Sequence, residues 1–383
     1  MLDWTRAWVA INSGTRNLAG LATMGDTLAH AFAALPGDVE LIDPEPVDAM
    51  AADGSRIALD HGRHLRVTVR PDAPLQLLFT GHMDTVFGVD HPFQTERWNA
   101  DGSLNAPGAA DMKGGLAVML AALRALEHSP AAGAIGYQVI VNSDEETGSL
   151  SSRGLIAAAA RGRRAAFTYE PALPDGTLAG ARSGSGNFSL FVHGRSAHAG
   201  RNPEDGRNAV VAAADLALRL AAVRRAGLSV NPARIDGGGP NNVVPDRAVL
   251  RINFRPADAG AAAEADIAID AAIRAVETAH QVRIERHGGF NRPPKPLDDA
   301  AEALFALVRD AGTDLGLSLA WRATGGVCDG NNIAACGVPV VDTMGPRGGA
   351  IHSGEEFLIT ESLSERAALS ALSILRLAEG GRA

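Results

Sequence analysis

Several things are scarce in this sequence, and each scarcity excludes something. There are two cysteines, Cys328 and Cys336. They are too few for a disulfide framework, and their spacing fits neither C-x-x-C nor a structural zinc site. Free thiols suit a reducing compartment, so a cytoplasmic protein is expected. No apolar run reaches the length that spans a bilayer, and Met1-Leu2-Asp3-Trp4-Thr5-Arg6 puts an acid where a secretory signal would start its apolar core. Positive charge is in deficit, with 35 Lys and Arg against 44 Asp and Glu and a net charge of −9. Neither nucleic acid nor an anionic membrane is drawn to such a surface, and neither is expected as a partner. Internal repeats are absent, and the only biased composition is Ala-rich helix. What is present is ordinary globular material, 46% hydrophobic and 21% charged, in 383 residues. That is more chain than one core usually serves, so two domains are expected.

The central stretch is Thr80-Gly81-His82-Met83-Asp84-Thr85-Val86, behind the apolar run Leu75-Gln76-Leu77-Leu78-Phe79. The run reads as a buried strand, with His82 and Asp84 emerging at its carboxyl end. In extended backbone, residues two apart share a face, so the two side chains point the same way. A carboxylate so placed can hold an imidazole in one tautomer while the other ring nitrogen binds a metal. The pair equally fits a satisfied core histidine beside a turn aspartate.

Further acids follow the same pattern. Asp111 precedes Gly114 and Gly115, which open a helix striped with Leu116, Met119, Leu120, Leu123 and Leu126. A carboxylate there is favoured by the positive helix end, which also makes it a simple cap. Tyr137-Gln138-Val139-Ile140-Val141 is a strand running into Ser143-Asp144-Glu145-Glu146-Thr147-Gly148-Ser149, whose three acids also read as a solvated turn. Ala165 to Tyr169 is a strand ending at Glu170, and Val338 to Asp342 is another, followed by a Gly-rich loop that carries His352. In open α/β sheets, ligands bind at the carboxyl edge of the strands, where His82, Asp84, Glu145, Glu146, Glu170 and the His352 loop fall, with Asp111 at a helix start.

The texture changes between about Gly180 and Gly289. Alternating strands at 188–193 and 249–254, helices at 208–224 and 259–280, and a closing strand at 282–285 suggest an inserted α+β unit of the ferredoxin-like kind. The expected fold is therefore α/β. A mixed-sheet catalytic domain comes from residues 1–179 and 290–383, with the insertion at 180–289.

If His82, Asp111, Glu146, Glu170 and His352 converge, two imidazoles and three carboxylates form a set suited to Zn²⁺, and to Mn²⁺ or Co²⁺. Five ligands exceed the need of one catalytic zinc and fit two metals if one carboxylate bridges. Metals lower the pKa of bound water toward ~7, and a further carboxylate must act as general base. Glu145, beside a ligand candidate, fits that part, and amide hydrolysis is the natural reaction.

The chain resembles the co-catalytic zinc metallopeptidase family of aminoacylase, acetylornithine deacetylase, succinyl-diaminopimelate desuccinylase and bacterial glutamate carboxypeptidase. The resemblance lies in G-H-M-D-T-V at 81–86, A-D-M-K-G-G at 110–115, S-D-E-E-T-G-S at 143–149, Y-E-P at 169–171, S-A-H-A-G at 196–200, N-N-V-V-P at 241–245 and H-S-G-E-E at 352–356. It implies that Asp111 bridges two zinc ions, with His82 and Glu170 completing one site and Glu146 and His352 the other. It also implies Asp84 as the orienter of His82, Glu145 as general acid/base and a cis peptide after Asp111. The inserted unit becomes a lid that forms a homodimer, from which His198 reaches the other subunit's site to hold the oxyanion. Asn242 and Arg255 match substrate-binding positions, with Arg255 offering a fork for a carboxylate. Arg182, Arg292 and Arg347 are further carboxylate candidates, each also readable as a surface charge.

Glu170 stands where the family's aminopeptidases tend to carry Asp and its carboxypeptidases and deacylases carry Glu. The surroundings are closest to the glutamate carboxypeptidase branch, so the expected substrate is an N-acyl amino acid or short peptide with a free carboxylate. The alternatives are a biosynthetic deacylase acting on acetylornithine or succinyl-diaminopimelate, and a catalytically silent metabolite-binding relative. Cys328 before Asp329, where relatives often have Ser or Thr, and Asn105-Ala106-Pro107 before the bridging acid depart from the family pattern and bear on specificity.

Overall fold

The strand Leu75–His82 alternates between two apolar layers, and this fixes the architecture around it. Leu77 and Phe79 are buried in one core, while Leu78 joins Ile140, Ile156 and Ile333 in another. A strand buried on both faces is the signature of a sheet covered by helices on either side. The computed structural model describes residues 1–380, so the last three residues of the 290–383 segment lie outside the described residues. Its main sheet has six strands in the order Asp38–Ile42, His64–Val69, Ile135–Asn142, Leu75–His82, Ala165–Thr168 and Val340–Val341. The first two pairings are antiparallel and the remaining three parallel. The four parallel strands therefore deliver their carboxyl ends to one edge.

Helices Gly114–Glu127, Asp299–Asp314 and Ser362–Ala378 pack on one face, and Arg153–Ala160 and Asp329–Ala334 on the other. The fold is α/β with a mixed sheet. Among the described residues, no helix is long and apolar enough to cross a membrane.

A second, four-stranded antiparallel sheet runs from Ser185 to Arg292, in the spatial order Leu228–Gly237, Arg247–Pro256, Ser185–His193 and Arg283–Arg292. With helices Ala209–Ala221 and Ala259–His280, the connectivity is strand-helix-strand-strand-helix-strand, the ferredoxin-like arrangement. Alternation sorts its two faces. Phe188, Leu190, Leu250, Ile252 and Phe254 pack under the helices in a separate apolar core. Asn187, Ser189, Arg251, Asn253 and Arg255 point the other way, toward the edge of the main sheet. A hairpin of Val47–Met50 and Arg56–Leu59 reaches the same face, where Met50 packs on Phe191 and Val249 and its carbonyl accepts from Arg251 at 2.9 Å.

Two crossings join the sheets, and they pair with each other. Arg182 and Lys295 exchange backbone hydrogen bonds of 2.9 Å each. Their side chains converge on Asp342, with Arg182 at 2.7 Å and Lys295 at 2.8 Å. Arg182 is thus a buried structural partner and not a surface charge. Arg347 is likewise engaged, 3.3 Å from Glu365.

Candidate active site

Between the carboxyl edge of the main sheet and the polar face of the second lies a cavity of about 1050 Å³. Asp111, Glu145, Glu146, Glu170 and His352 line its floor. His82, fully buried, ends the central strand and aims Nε2 at Asp111 Oδ1, 3.1 Å away, with Glu170 Oε2 at 3.8 Å. The other oxygen of Asp111 lies 3.2 Å from His352 Nε2, which is 3.2 Å from Glu146 Oε2. One carboxylate therefore stands between two imidazoles, each accompanied by a glutamate. His352 sits in a loop with φ at 62°, a left-handed conformation that costs a non-glycine residue of order 1–3 kcal/mol and clusters at functional sites. The Asp111–Met112 peptide is cis.

The electrostatics call for positive charge among these acids. Hydrogen bonds with Asp111 and Glu146 push the His352 imidazole up to about 11. Burial works to lower His82, yet Asp111, Asp84 and Glu170 outweigh it and hold it well above the ordinary histidine range. Burial, reinforced by Asp111, pushes Glu170 up to about 7. Ligand atoms of His82, Asp111 and Glu146 lie within 4.8 Å of one another, as do those of His82, Glu145 and Glu170. Oxygen and imidazole donors crowded at this spacing, with no thiolate, fit hard-to-borderline divalent cations.

Asp84 divides its work differently from the expectation. The strand ends at His82, so alternation does not carry on to Asp84, and His82 Nδ1 meets the backbone carbonyl of Asp84 at 2.9 Å, with Oδ1 at 3.4 Å. The carboxylate accepts the backbone N–H groups of Glu145 and Glu146, both at 3.2 Å, and the Thr15 hydroxyl at 2.7 Å. It thus fixes both the imidazole and the acidic loop. The loop is no solvated turn, because Asp144 is fully buried and accepts from Ser151 and Ser152.

Glu145 is buried, and burial pushes its carboxyl well above the usual range, opposed by Arg292. Arg292 is no surface charge, since its side chain is 7% exposed and sits 2.7 Å from Glu145 Oε1. The motifs gave no warning of this contact, 147 positions apart. Glu356 was also missed, although it belongs to the His352-Ser353-Gly354-Glu355-Glu356 segment. Its carboxylate accepts the N–H groups of Ala110 and Asp111 at 3.0 and 3.1 Å, and so holds the backbone that presents Asp111.

The structure does not bring every candidate to the floor. Arg255 lines the cavity from the opposite sheet, its Nε donating to Asn253 at 3.0 Å. His198 and Asn242 are exposed and do not line this cavity. They lie together elsewhere, with Ala199 N–H donating to the Asn242 carbonyl at 2.9 Å and His198 bridged to Val243.

Residues 78–376 match the family model described as peptidase family M20/M25/M40. The chain belongs to this family. Among M20 relatives, it is 32% identical to carboxypeptidase G2 of Pseudomonas sp. (strain RS-16), over 79% of this chain and 74% of that protein. It is 31% identical to a succinyl-diaminopimelate desuccinylase of Cupriavidus taiwanensis, over 73% and 76% of the two chains. The solved structure of aminopeptidase PepT from Bacillus cereus superposes with a TM-score of 0.74 at 22% identity, covering 98% of both chains. The last similarity concerns the fold alone. Like its M20 relatives, the chain is a metallohydrolase, with a cluster of donor side chains able to hold metal.

Proposed function

We propose that this M20 enzyme hydrolyses an amide bond next to a free carboxylate, as a carboxypeptidase or N-acyl-amino-acid hydrolase of the glutamate carboxypeptidase kind. The observation that carries the reading is the shared Asp111, with His82 and His352 on its two oxygens and Glu145 close by. In this reading His82 and Glu170 hold one cation, Glu146 and His352 the other, and Asp111 serves both. Zn²⁺ is the proposed metal, with Co²⁺ or Mn²⁺ able to replace it. When bound, such cations supply Lewis acidity, polarising a carbonyl and acidifying water. Glu145 takes a proton from the attacking water and returns it to the departing amine. Arg255 receives the substrate carboxylate, half-buried and without an acidic partner among the described residues.

Residues 180–289 act as a lid over 1–179 and 290–383, and two copies pair through it. His198 fits that arrangement because its Nδ1 is occupied by the N–H groups of Gly200 and Arg201, leaving Nε2 to donate outward. It would hold the oxyanion in the other copy, with Asn242 beside it contacting substrate. A cytoplasmic location is consistent with the free thiols of Cys328 and Cys336.

The test is turnover by purified protein of folyl-glutamate, N-acetylornithine and N-succinyl-diaminopimelate, with bound metal counted by elemental analysis. Hydrolysis of the first is expected. Turnover of the succinyl substrate alone would transfer the enzyme to the desuccinylase branch, which the 31% identity keeps as the second reading.

A further inference from the structure

Glu145 is placed for two incompatible tasks. Its carboxylate lies within 4.8 Å of ligand atoms on His82 and Glu170, so it could ligate a cation as readily as serve as a base. A carboxylate drawn into coordination gives its lone pairs to the metal and can no longer shuttle a proton. Something must hold it off, and the nearest cationic group is Arg292.

Arg292 ends the strand Arg283–Arg292, at the point where the chain returns from the second sheet. Its Nη2 lies 2.7 Å from Glu145 Oε1 and donates to the Glu145 backbone carbonyl at 2.8 Å and to Ser149 Oγ at 2.9 Å. One nitrogen thereby bonds the main chain of the glutamate and sits against its side chain as a buried ion pair, Oε1 taking no hydrogen bond among the described residues because both Nη2 protons go to the carbonyl and Ser149. The grip is anchored from behind, because Asn331 Nδ2 donates to the carbonyls of Pro293 and Ser183 at 2.8 and 3.0 Å, fixing both crossings to the helix Asp329–Ala334. Asp329 Oδ1, 3.7 Å from Nη2, offers a second, weaker partner. A rigid, always charged guanidinium suits this use better than a flexible ammonium.

We propose that Arg292 is a positioning residue that competes with the cations for Glu145. It occupies Oε1, keeps the carboxylate out of coordination and leaves Oε2 for proton transfer. The inference rests on the reading of Glu145 as general base. It concerns what selects that role, and it separates Arg292, at the end of the strand Arg283–Arg292 and paired with Glu145, from Arg255, on the strand Arg247–Pro256 of the same sheet, which has no acidic partner among the described residues and is free for substrate.

The experiment compares Arg292→Ala, Arg292→Lys and Glu145→Gln in full-length protein, each stripped of metal and titrated with Co²⁺. Visible absorption and calorimetry are followed alongside steady-state kinetics. Arg292→Ala is expected to lose roughly 10²-fold in kcat, with KM within about threefold of the parent. Its Co²⁺ spectrum should weaken and its affinity rise, as one more carboxylate joins the coordination. Arg292→Lys should regain roughly tenfold of the lost rate and a parent-like spectrum, because an ammonium still offers charge to Oε1.

An Arg292→Ala protein with unchanged kcat would overturn the proposal. So would a loss confined to KM, or a loss of kcat with the Co²⁺ spectrum and affinity unmoved. If Arg292→Ala does not melt cooperatively, Arg292→Gln takes its place, judged by the same spectrum and the same split between kcat and KM. Activity persisting in Glu145→Gln would instead remove the reading beneath the inference, whatever the Arg292 variants do.

Discussion

The floor of the cavity gathers side chains from as far apart as His82 and His352, and they bond mainly to one another. The roof is laid by neighbours two apart on one strand, Arg251, Asn253 and Arg255, which are half-buried. The floor is a cage of charge, buried except at His352, whose side chain is half exposed, and each group sets the position of the next. Arg255, by contrast, keeps a charge without a carboxylate partner among the described residues. Buried ionic groups are costly to leave unpaired, so damage to the floor should spread through the whole set. Damage to the roof should stay local.

Substitutions on either side can break this contrast. Asp111→Ala removes the one carboxylate that both imidazoles share. Metal content should fall below one per chain by elemental analysis, with more than ~10⁴-fold lost from kcat. Retention of two metals would show that the floor is not a single cage. Glu145→Gln changes no proposed ligand, so metal should remain while kcat drops by at least ~10³-fold. Near-parental turnover would take proton transfer away from the floor.

Arg255→Ala tests the roof. Charge-assisted hydrogen bonds to a substrate carboxylate contribute about 1.5–3 kcal/mol, so KM should rise roughly 10- to 100-fold. Turnover and metal content should hardly move. A fall in kcat with KM unchanged would erase the distinction between the two surfaces.

The smallest effect concerns the underside of the floor. His64 accepts the Ser143 N–H at Nδ1 and meets Ser151 Oγ through Nε2. Burial lowers its pKa from 6.5, only partly offset by Asp144 and Asp84 and reinforced by His61. The folded state therefore binds fewer protons than the unfolded chain below that value, and stability falls as pH drops through 6.5 toward the lower folded pKa. His64→Gln should flatten the decline of Tm with falling pH in that window, read by thermal melts. An unchanged slope would clear His64 of the effect.

Much of this was legible in the chain. Periodicity alone finds the helix Ala259–His280 and the strands around Leu77, Val139 and Phe167. The strand Leu228–Gly237 escapes it, because Pro232 interrupts the run. The structure accommodates the proline at a sheet edge, where the register shifts between Pro232 and Arg234. The hairpin over Val47–Leu59 is likewise invisible as a wall of the site, since its purpose lies in Met50 meeting Phe191 from another sheet. The acids at strand ends could be suspected of shared work, and the family resemblance supplies His82 and His352 for Asp111, while the hold of Arg292 on Glu145 and of Glu356 on the Asp111 backbone could not be suspected.

The amino-acid order by itself determined which strands are buried, at which edge their acids emerge and which donor types are on offer, because these follow from local alternation and residue chemistry. Only the tertiary structure decided that Asp111 stands between His82 and His352, that Arg292 holds Glu145, that Glu356 holds the backbone of Asp111, and that His198 and Asn242 lie away from the floor. Contacts of that kind join residues distant along the chain, and no local preference encodes them until the two sheets have packed.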